Sequence, residues 1–290
     1  MDDTSPTTLG CKRFTRRNPG EKYKASTMLQ FVSLSFESGQ QKPLSIYGFV
    51  AVRDDCEPLR NYVFNCSRDA TFDVSPVSLL PLTSPMRGIS LWHKAMVEIN
   101  LKAKSNGDTC EDVVLVDACI DFRWDRIKRG KVLKSRIDGP FGTLYMDYVF
   151  IKHGIEAVVE IDIPKNLIGC HVTILARNSG FKKEVMIYDA VVTEASSKVS
   201  AVIAACHRGN LYFGFLVMDA RAYDCITFKD GKQSFGPTIA LSKGELPYAQ
   251  KILGIRDYEV SDAPPGAPPT AVKVPFSVTF STLGYHNCGI

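Results

Sequence analysis

At 290 residues, with 45% apolar and 23% charged side chains, the chain can bury one large or two modest cores and falls outside the disordered class. No run of about eighteen apolar residues occurs, which excludes a membrane-spanning helix. A net charge of +4 neither demands nor forbids an anionic partner.

Residues 1–27 are polar, basic and punctuated by Pro and Gly, and read as a disordered basic tail. Met1, Asp2 and Asp3 open the chain without an apolar stretch, which argues against a secretory signal. Arg13, Arg16 and Arg17 leave organellar targeting open, so the expected location is cytoplasmic, with nuclear or organellar alternatives. Nine cysteines, an odd number with no C-x-x-C pair, read as reduced core thiols in such a chain.

Residues 28–36 alternate apolar and polar side chains, the pattern of a strand with one buried face. Residues 44–64 read as a strand, a tight acidic turn and a returning strand. Ile46, Tyr47, Phe49, Val50 and Val52 are β-formers interrupted by Gly48, and Asp54, Asp55 and Pro58 carry turn chemistry. Two readings are open for Arg53, Asp54, Asp55, Arg60 and Asn61. They form a polar binding rim, or a charged hairpin end whose groups satisfy the turn backbone and one another; Asx-rich turns are ordinary.

The run from Ile46 to Asp54, followed by Arg60, Asn61 and Phe64, resembles the YGxVAVRD…RNxxF signature of a plant family expanded in grasses, the domain of unknown function 6598. Thr83 to Ile89, which includes Arg87, is similar to that family's GPxRxI step, with Ser84 in place of Gly. Val97 to Lys104 is similar to its xExDLKxK strand, with Asn100 in place of Asp. The family has no established activity. Some members carry the domain fused to ribosome-inactivating N-glycosidases of jasmonate-induced type, so the resemblance implies a stress or defence setting.

Between these motifs, residues 69–73 read as a turn, and residues 77–82 as a short apolar run in which Pro81 marks an edge or bulge. Residues 95–104 form the clearest strand, with Val97, Ile99, Leu101 and Ala103 on one face. A turn at Asn106, Gly107 and Asp108 leads to an answering strand over residues 113–122. Residues 123–136 concentrate Arg123, Arg126, Lys128, Arg129, Lys131, Lys134 and Arg136 around Trp124. This segment reads as a contact for nucleic acid or another anionic partner, or as a solvated linker or hairpin turning at Gly130 with Trp124 docked on a sheet.

The β pattern resumes at residues 142–152 and 155–163, extended segments joined by His153 and Gly154. Strands follow at residues 170–176, 184–193, 199–206 and 210–219, with a short candidate at 226–228. Residues 245–253 read as one or two helical turns, residues 262–269 as an exposed polyproline-like loop, and residues 272–283 as a last strand.

Local catalytic signatures are missing. The Glu-x-x-Arg formed by Glu57 and Arg60 lies in a hairpin with Pro58 inside it, not on the helix a depurinating glycosidase would use. His93, His153, His171, His207 and His286 have no chelating spacing, and Cys206 and His207 point to opposite faces of a strand. Asp54, Asp55, Asp69 and Asp73 are candidates for a calcium loop or for turn caps.

The expected fold is all-β, an antiparallel β-sandwich architecture of two β modules packed together with little helix. The expected division is a tail at 1–27, a first module at 28–122, a basic linker or hairpin at 123–136 and a second module at 137–285. The expected function is non-enzymatic, without cofactor, metal or catalytic residues. Its partner is a protein or ligand, with an anionic partner through 123–136 as a variant. The binding candidates are Arg53, Asp54, Asp55, Arg60, Asn61, Arg87, Arg123, Trp124, Arg126, Lys128 and Arg129. The alternative is an enzyme, a hydrolase or glycosidase, whose site is assembled from distant positions.

Overall fold

The computed structural model describes residues 3–11, 25–40, 42–105, 111–126, 130–178, 180–207, 210–218, 225–226, 239–240, 250–253 and 276–281. In chain order its strands are β1 (Ser26–Ser38), β2 (Leu44–Asp54), β3 (Glu57–Cys66), β4 (Phe72–Val74), β5 (Val77–Leu80), β6 (Ile89–Ser90), β7 (Lys94–Ala103), β8 (Val113–Arg123), β9 (Val132–Gly139) and β10 (Gly142–Asp162). There follow β11 (His171–Asn178), β12 (Glu184–Val191), β13 (Lys198–Cys206), β14 (Asn210–Met218), β15 (Cys225–Ile226), β16 (Ile239–Ala240), β17 (Gln250–Leu253) and β18 (Phe276–Ser281). Helix among the described residues is confined to two single 3-10 turns, Trp124–Arg126 and Lys165–Leu167. The fold is all-β, as the alternation of side chains requires.

Among the described residues the strands form three antiparallel sheets. The largest follows the order β17-β18-β10-β1-β5, with β9 and β13 also on β10 and β6 also on β1. A second sheet runs β3-β2-β7-β8 with β4 on β2, and a third runs β12-β11-β14-β15 with β16 on β14. In β7 the expected alternation holds: Ala95, Val97, Ile99, Leu101 and Ala103 are buried, and the intervening residues are not fully so. That face joins Phe31, Phe36, Val50 and Phe64 in the first core, which also takes Leu144, Met146, Tyr148 and Phe150 from β10. A second core gathers Ile155, Ala157, Val159 and Ile161 from the far half of β10 with Val172, Ile174, Ile203 and Phe213.

Strand β10 is therefore the spine. The segments 142–152 and 155–163, expected as extended and joined by His153 and Gly154, form one continuous strand, Gly142–Asp162, of 21 residues. Its near half pairs with β1 and β9, and its far half with β13 and β18. His153 takes φ 52 and bends the strand without reversing it. The first core thus draws on β10 before His153 and the second on β10 from Ile155, while a third cluster packs Val149 and Ile151 with Met28, Phe181, Val185 and Ala204. β9 pairs along β10 from Val132↔Val149 to Gly139↔Gly142, and its Leu133 and Ile137 pack on the first core.

Two further expectations change. Part of the presumed tail lies along β3: Thr7 N–H donates to Arg60 O at 2.8 Å, and Arg60 N–H donates to Ser5 O at 3.1 Å. Where helical turns were expected over 245–253, Gln250–Leu253 pairs with β18 as a strand. The loop 262–269 and the turn at 106–108 fall outside the described residues.

Candidate functional site

The acidic turn between β2 and β3 organises a buried polar cluster. Arg87 is fully buried and donates from Nη1 to Asp54 Oδ2 and from Nη2 to Asp54 Oδ1, each at 2.7 Å. Asp54 also accepts from the backbone N–H of Cys56 at 3.0 Å and of Ser90 at 2.7 Å. Asn61, buried beside them, donates to Arg87 O at 2.9 Å and accepts from Met86 N–H at 2.9 Å. Glu156, from the far half of β10, accepts from Gly88 N–H at 2.7 Å. Burial pulls the Arg87 pKa down, but the bonds and charge of Asp54 outweigh it and leave it raised. These groups close a loop onto the sheets and bond chiefly to one another.

On the outer face of the same hairpin, Glu98 bridges two arginines. Arg53 Nε donates to Glu98 Oε1 at 2.7 Å, and Arg60 Nε donates to Oε2 at 2.6 Å. Burial pushes the Glu98 pKa up, yet the two guanidinium bonds prevail and hold it below the ordinary value. Arg53 further donates to Pro58 O at 2.7 Å and Asp3 O at 2.5 Å, and Arg60 stacks 4.4 Å from the Phe49 ring centroid. Glu57 holds the N-terminal segment by accepting from the Thr7 hydroxyl, Thr8 N–H at 2.9 Å and Thr8 Oγ1 at 2.5 Å. The Glu57–Arg60 pair therefore lies on a strand, with each member bonded elsewhere.

The basic stretch is dispersed. Arg123 pairs with Asp125 at 3.7 Å, Lys134 sits over the Tyr145 ring at 4.8 Å, and Arg136 bonds Asp138 at 2.9 Å. Arg126 closes the Trp124–Arg126 turn, and Lys128 and Arg129 fall outside the described residues.

Trp124 instead borders an open cleft of about 380 Å³ that no sequence motif announced, and Asp55 braces the turn behind it. Its wall is Ala25, Ser26, Thr27, Leu91, Trp92, His93, Trp124, Lys152 and His153. Local chain irregularities shape it. Between Ser26 and Met28 the register of β1 on β10 shifts, opposite the His153 bend, and such irregularities re-aim side chains. Asp55 accepts from His93 N–H at 2.7 Å and Lys94 N–H at 3.1 Å, which fixes the 91–94 turn. Trp124 N–H donates to His93 O at 3.0 Å, and Leu91 N–H donates to Thr27 O at 2.8 Å. The Trp92 and His93 rings meet edge to face with centroids 6.0 Å apart. Trp92 and Trp124 keep 40% and 51% of their surfaces exposed. The Ser26 hydroxyl is buried with no hydrogen-bond partner among the described residues. Elsewhere, no group of three His, Cys, Asp or Glu able to hold a metal occurs among the described residues.

Residues 28–242 match the family model described as a domain of unknown function (DUF6598). The chain belongs to the DUF6598 family. The matched span includes the whole of the buried cluster and most of the cleft, from Leu91 to His153. No curated protein matches the DUF6598 chain in sequence. Among solved structures, human GIVD cytosolic phospholipase A2 aligns at 9% identity and a TM-score of 0.27, covering 89% of this chain and 33% of that one. Its complex with methyl gamma-linolenyl fluorophosphonate and terbium chloride aligns at 8% identity and a TM-score of 0.28, covering 90% and 33%. The DUF6598 chain thus spans about a third of the length of those structures, and a likeness so slight carries no argument about activity.

Proposed function

We propose that this DUF6598 chain is a non-enzymatic binding module that receives a ligand in the cleft formed by the start of β1, the 91–94 turn, Trp124 and the bend of β10. The observation that carries this reading is that both tryptophans of the chain stand half-exposed on that one concavity. Ligand sites are concave, aromatic-rich and supplied with a few placed polar groups, and the cleft volume falls within the usual range. The arginine-rich hairpin expected as a binding rim supports the site from behind through Asp55, while Arg53, Asp54, Asn61 and Arg87 hold the scaffold. The plant stress or defence setting that we assign rests on the sequence resemblance, and a cytoplasmic location is proposed beside it. It is tested by locating a tagged chain in grass cells before and after wounding.

Because the chain has only Trp92 and Trp124, its indole fluorescence reports the cleft alone. A panel of neutral oligosaccharides, nucleotides, aromatic acids and fatty acids should contain a class that changes the emission saturably and raises Tm. Trp124→Ala should remove the response. Silence across the whole panel in both readouts would overturn the cleft as a ligand site. Chemical conversion of a bound ligand, followed by chromatography, would overturn the non-enzymatic reading in favour of an assembled active site.

A further inference from the structure

Taking the cleft as the binding site, we infer that its occupant is a nucleotide, free or as one unit of a single strand, held by base stacking on tryptophan and by phosphate contact at Lys152. The composition of the wall carries this. Its described lining residues with polar side chains are Lys152, His93, His153, Ser26 and Thr27. No carboxylate or carboxamide is among the described lining residues. A neutral sugar would draw on such acceptors for its many hydroxyl donors. The phosphate of a nucleotide offers acceptor oxygens, which the donor-only ammonium of Lys152 matches most strongly, with imidazole and hydroxyl donors beside it.

The nearby carboxylates are already engaged. Asp55 accepts from two backbone N–H groups behind the wall, and Asp125 is paired with Arg123. An incoming anion therefore meets Lys152 without a bare carboxylate among the described lining residues. The indole faces suit a base, because every base offers a π-face and stacking on aromatic side chains tolerates any sequence. The about 380 Å³ of space accepts one nucleotide and leaves the rest of a strand outside.

The test titrates the full chain with AMP, adenosine, inorganic phosphate, a short single-stranded RNA and a neutral oligosaccharide, read by indole fluorescence. AMP should quench saturably and bind about tenfold more tightly than adenosine, because the phosphate adds a charge-assisted contact. Lys152→Gln should remove most of that advantage, whereas Lys134→Gln, over the Tyr145 ring and off the cleft wall, should leave AMP binding unchanged. If the RNA binds more tightly than AMP and weakens steeply with salt, the nucleotide comes from a strand; equal binding identifies the free nucleotide. Binding of the oligosaccharide without AMP or RNA would overturn the nucleotide and leave the cleft standing. An equal response to AMP and adenosine, or loss of AMP binding in Lys134→Gln, would overturn the phosphate contact. If no probe binds and the wider panel is also silent, both the nucleotide and the cleft fall together.

Discussion

Arg87 meets Asp54 through two parallel hydrogen bonds of 2.7 Å at a place where water reaches neither side chain. The pair ties the acidic turn of β2 and β3 to the 86–90 segment, and Glu156 extends the tie to β10. Removing one member leaves a buried charge without its counterpart, which costs about 3–5 kcal/mol. Arg87→Met and Asp54→Leu should each lower stability by that order in chemical denaturation. The double variant should recover part of the loss, because two apolar groups leave no uncompensated charge. Arg87→Lys should fail to rescue, since a point ammonium cannot reproduce the fork. Additive losses in the double variant would show that the two side chains act separately.

A second pair of contacts limits backbone substitution. Gly48 has φ +116, and a Cβ there would lie 2.0 Å from Asn100 O on β7. A Cβ on Gly139 would lie 1.8 Å from Leu115 O, where β9 crosses β8. Both obstacles are backbone, which cannot rotate aside. Gly48→Ala and Gly139→Ala should each destabilise the fold by several kcal/mol, seen as a fall in Tm or loss of soluble protein. A Tm within a degree or two of the parent at either position would contradict the close approach.

The outer arginine bridge predicts acid sensitivity of definite sign. The Glu98 carboxyl has a folded pKa below its ordinary 4.5. Its contribution is therefore complete above the unfolded value and is lost as pH falls through the folded one. Stability measured from pH 6 downward should decline below about pH 4.5. Glu98→Gln should be less stable at neutral pH and show a shallower decline. A variant with the same acid slope as the parent would place the sensitivity elsewhere.

Glu57 makes a parallel prediction for the segment beside β3. Its carboxylate is pushed up by burial but drawn lower overall by the hydroxyls of Thr7 and Thr8 and the backbone N–H groups of Thr8 and Leu9. Glu57→Ala removes the acceptor of all these donors. Amide hydrogen exchange of residues 5–9 should speed up by one to two orders of magnitude, corresponding to about 1–3 kcal/mol. Slow exchange surviving in the variant would mean that the pairing with Arg60 alone holds the segment.

The β architecture was legible because strand alternation is a local signal. In residues 95–104 a slip of one position would turn Val97, Ile99 and Leu101 to water, so the sequence alone specifies the buried face. Gly48 was visible as an interruption of a strand, but the Asn100 carbonyl that demands it belongs to another strand and leaves no trace nearby. Asp54 and Arg87 were both singled out as binding candidates; their mutual burial joins positions 33 residues apart and has no local signature. The cleft is harder still, since it takes Ser26, Trp92, Trp124 and Lys152 from four separate segments. Trp124 could be flagged only as an aromatic among basic residues, and the segment it signalled was the basic stretch rather than the concavity beside it.

At His153 and Gly154 the chain uses a left-handed residue inside a strand that continues, so the join between residues 142–152 and 155–163 is not a break. A non-glycine residue held at φ 52 costs about 1 kcal/mol relative to glycine at the same place, offset in part by the larger freedom glycine has when unfolded. His153→Gly should therefore leave stability unchanged or raise it by up to about 1 kcal/mol. His153→Val should lower it by about 1–2 kcal/mol, because a β-branched side chain resists the left-handed region. Since the bend joins the two cores, the loss in His153→Val should appear in β1 and β13 together when hydrogen exchange is followed strand by strand. Destabilisation by glycine, or a valine effect confined to one core, would mean that the imidazole is held for its contacts and that the backbone bend is not what sets the joint.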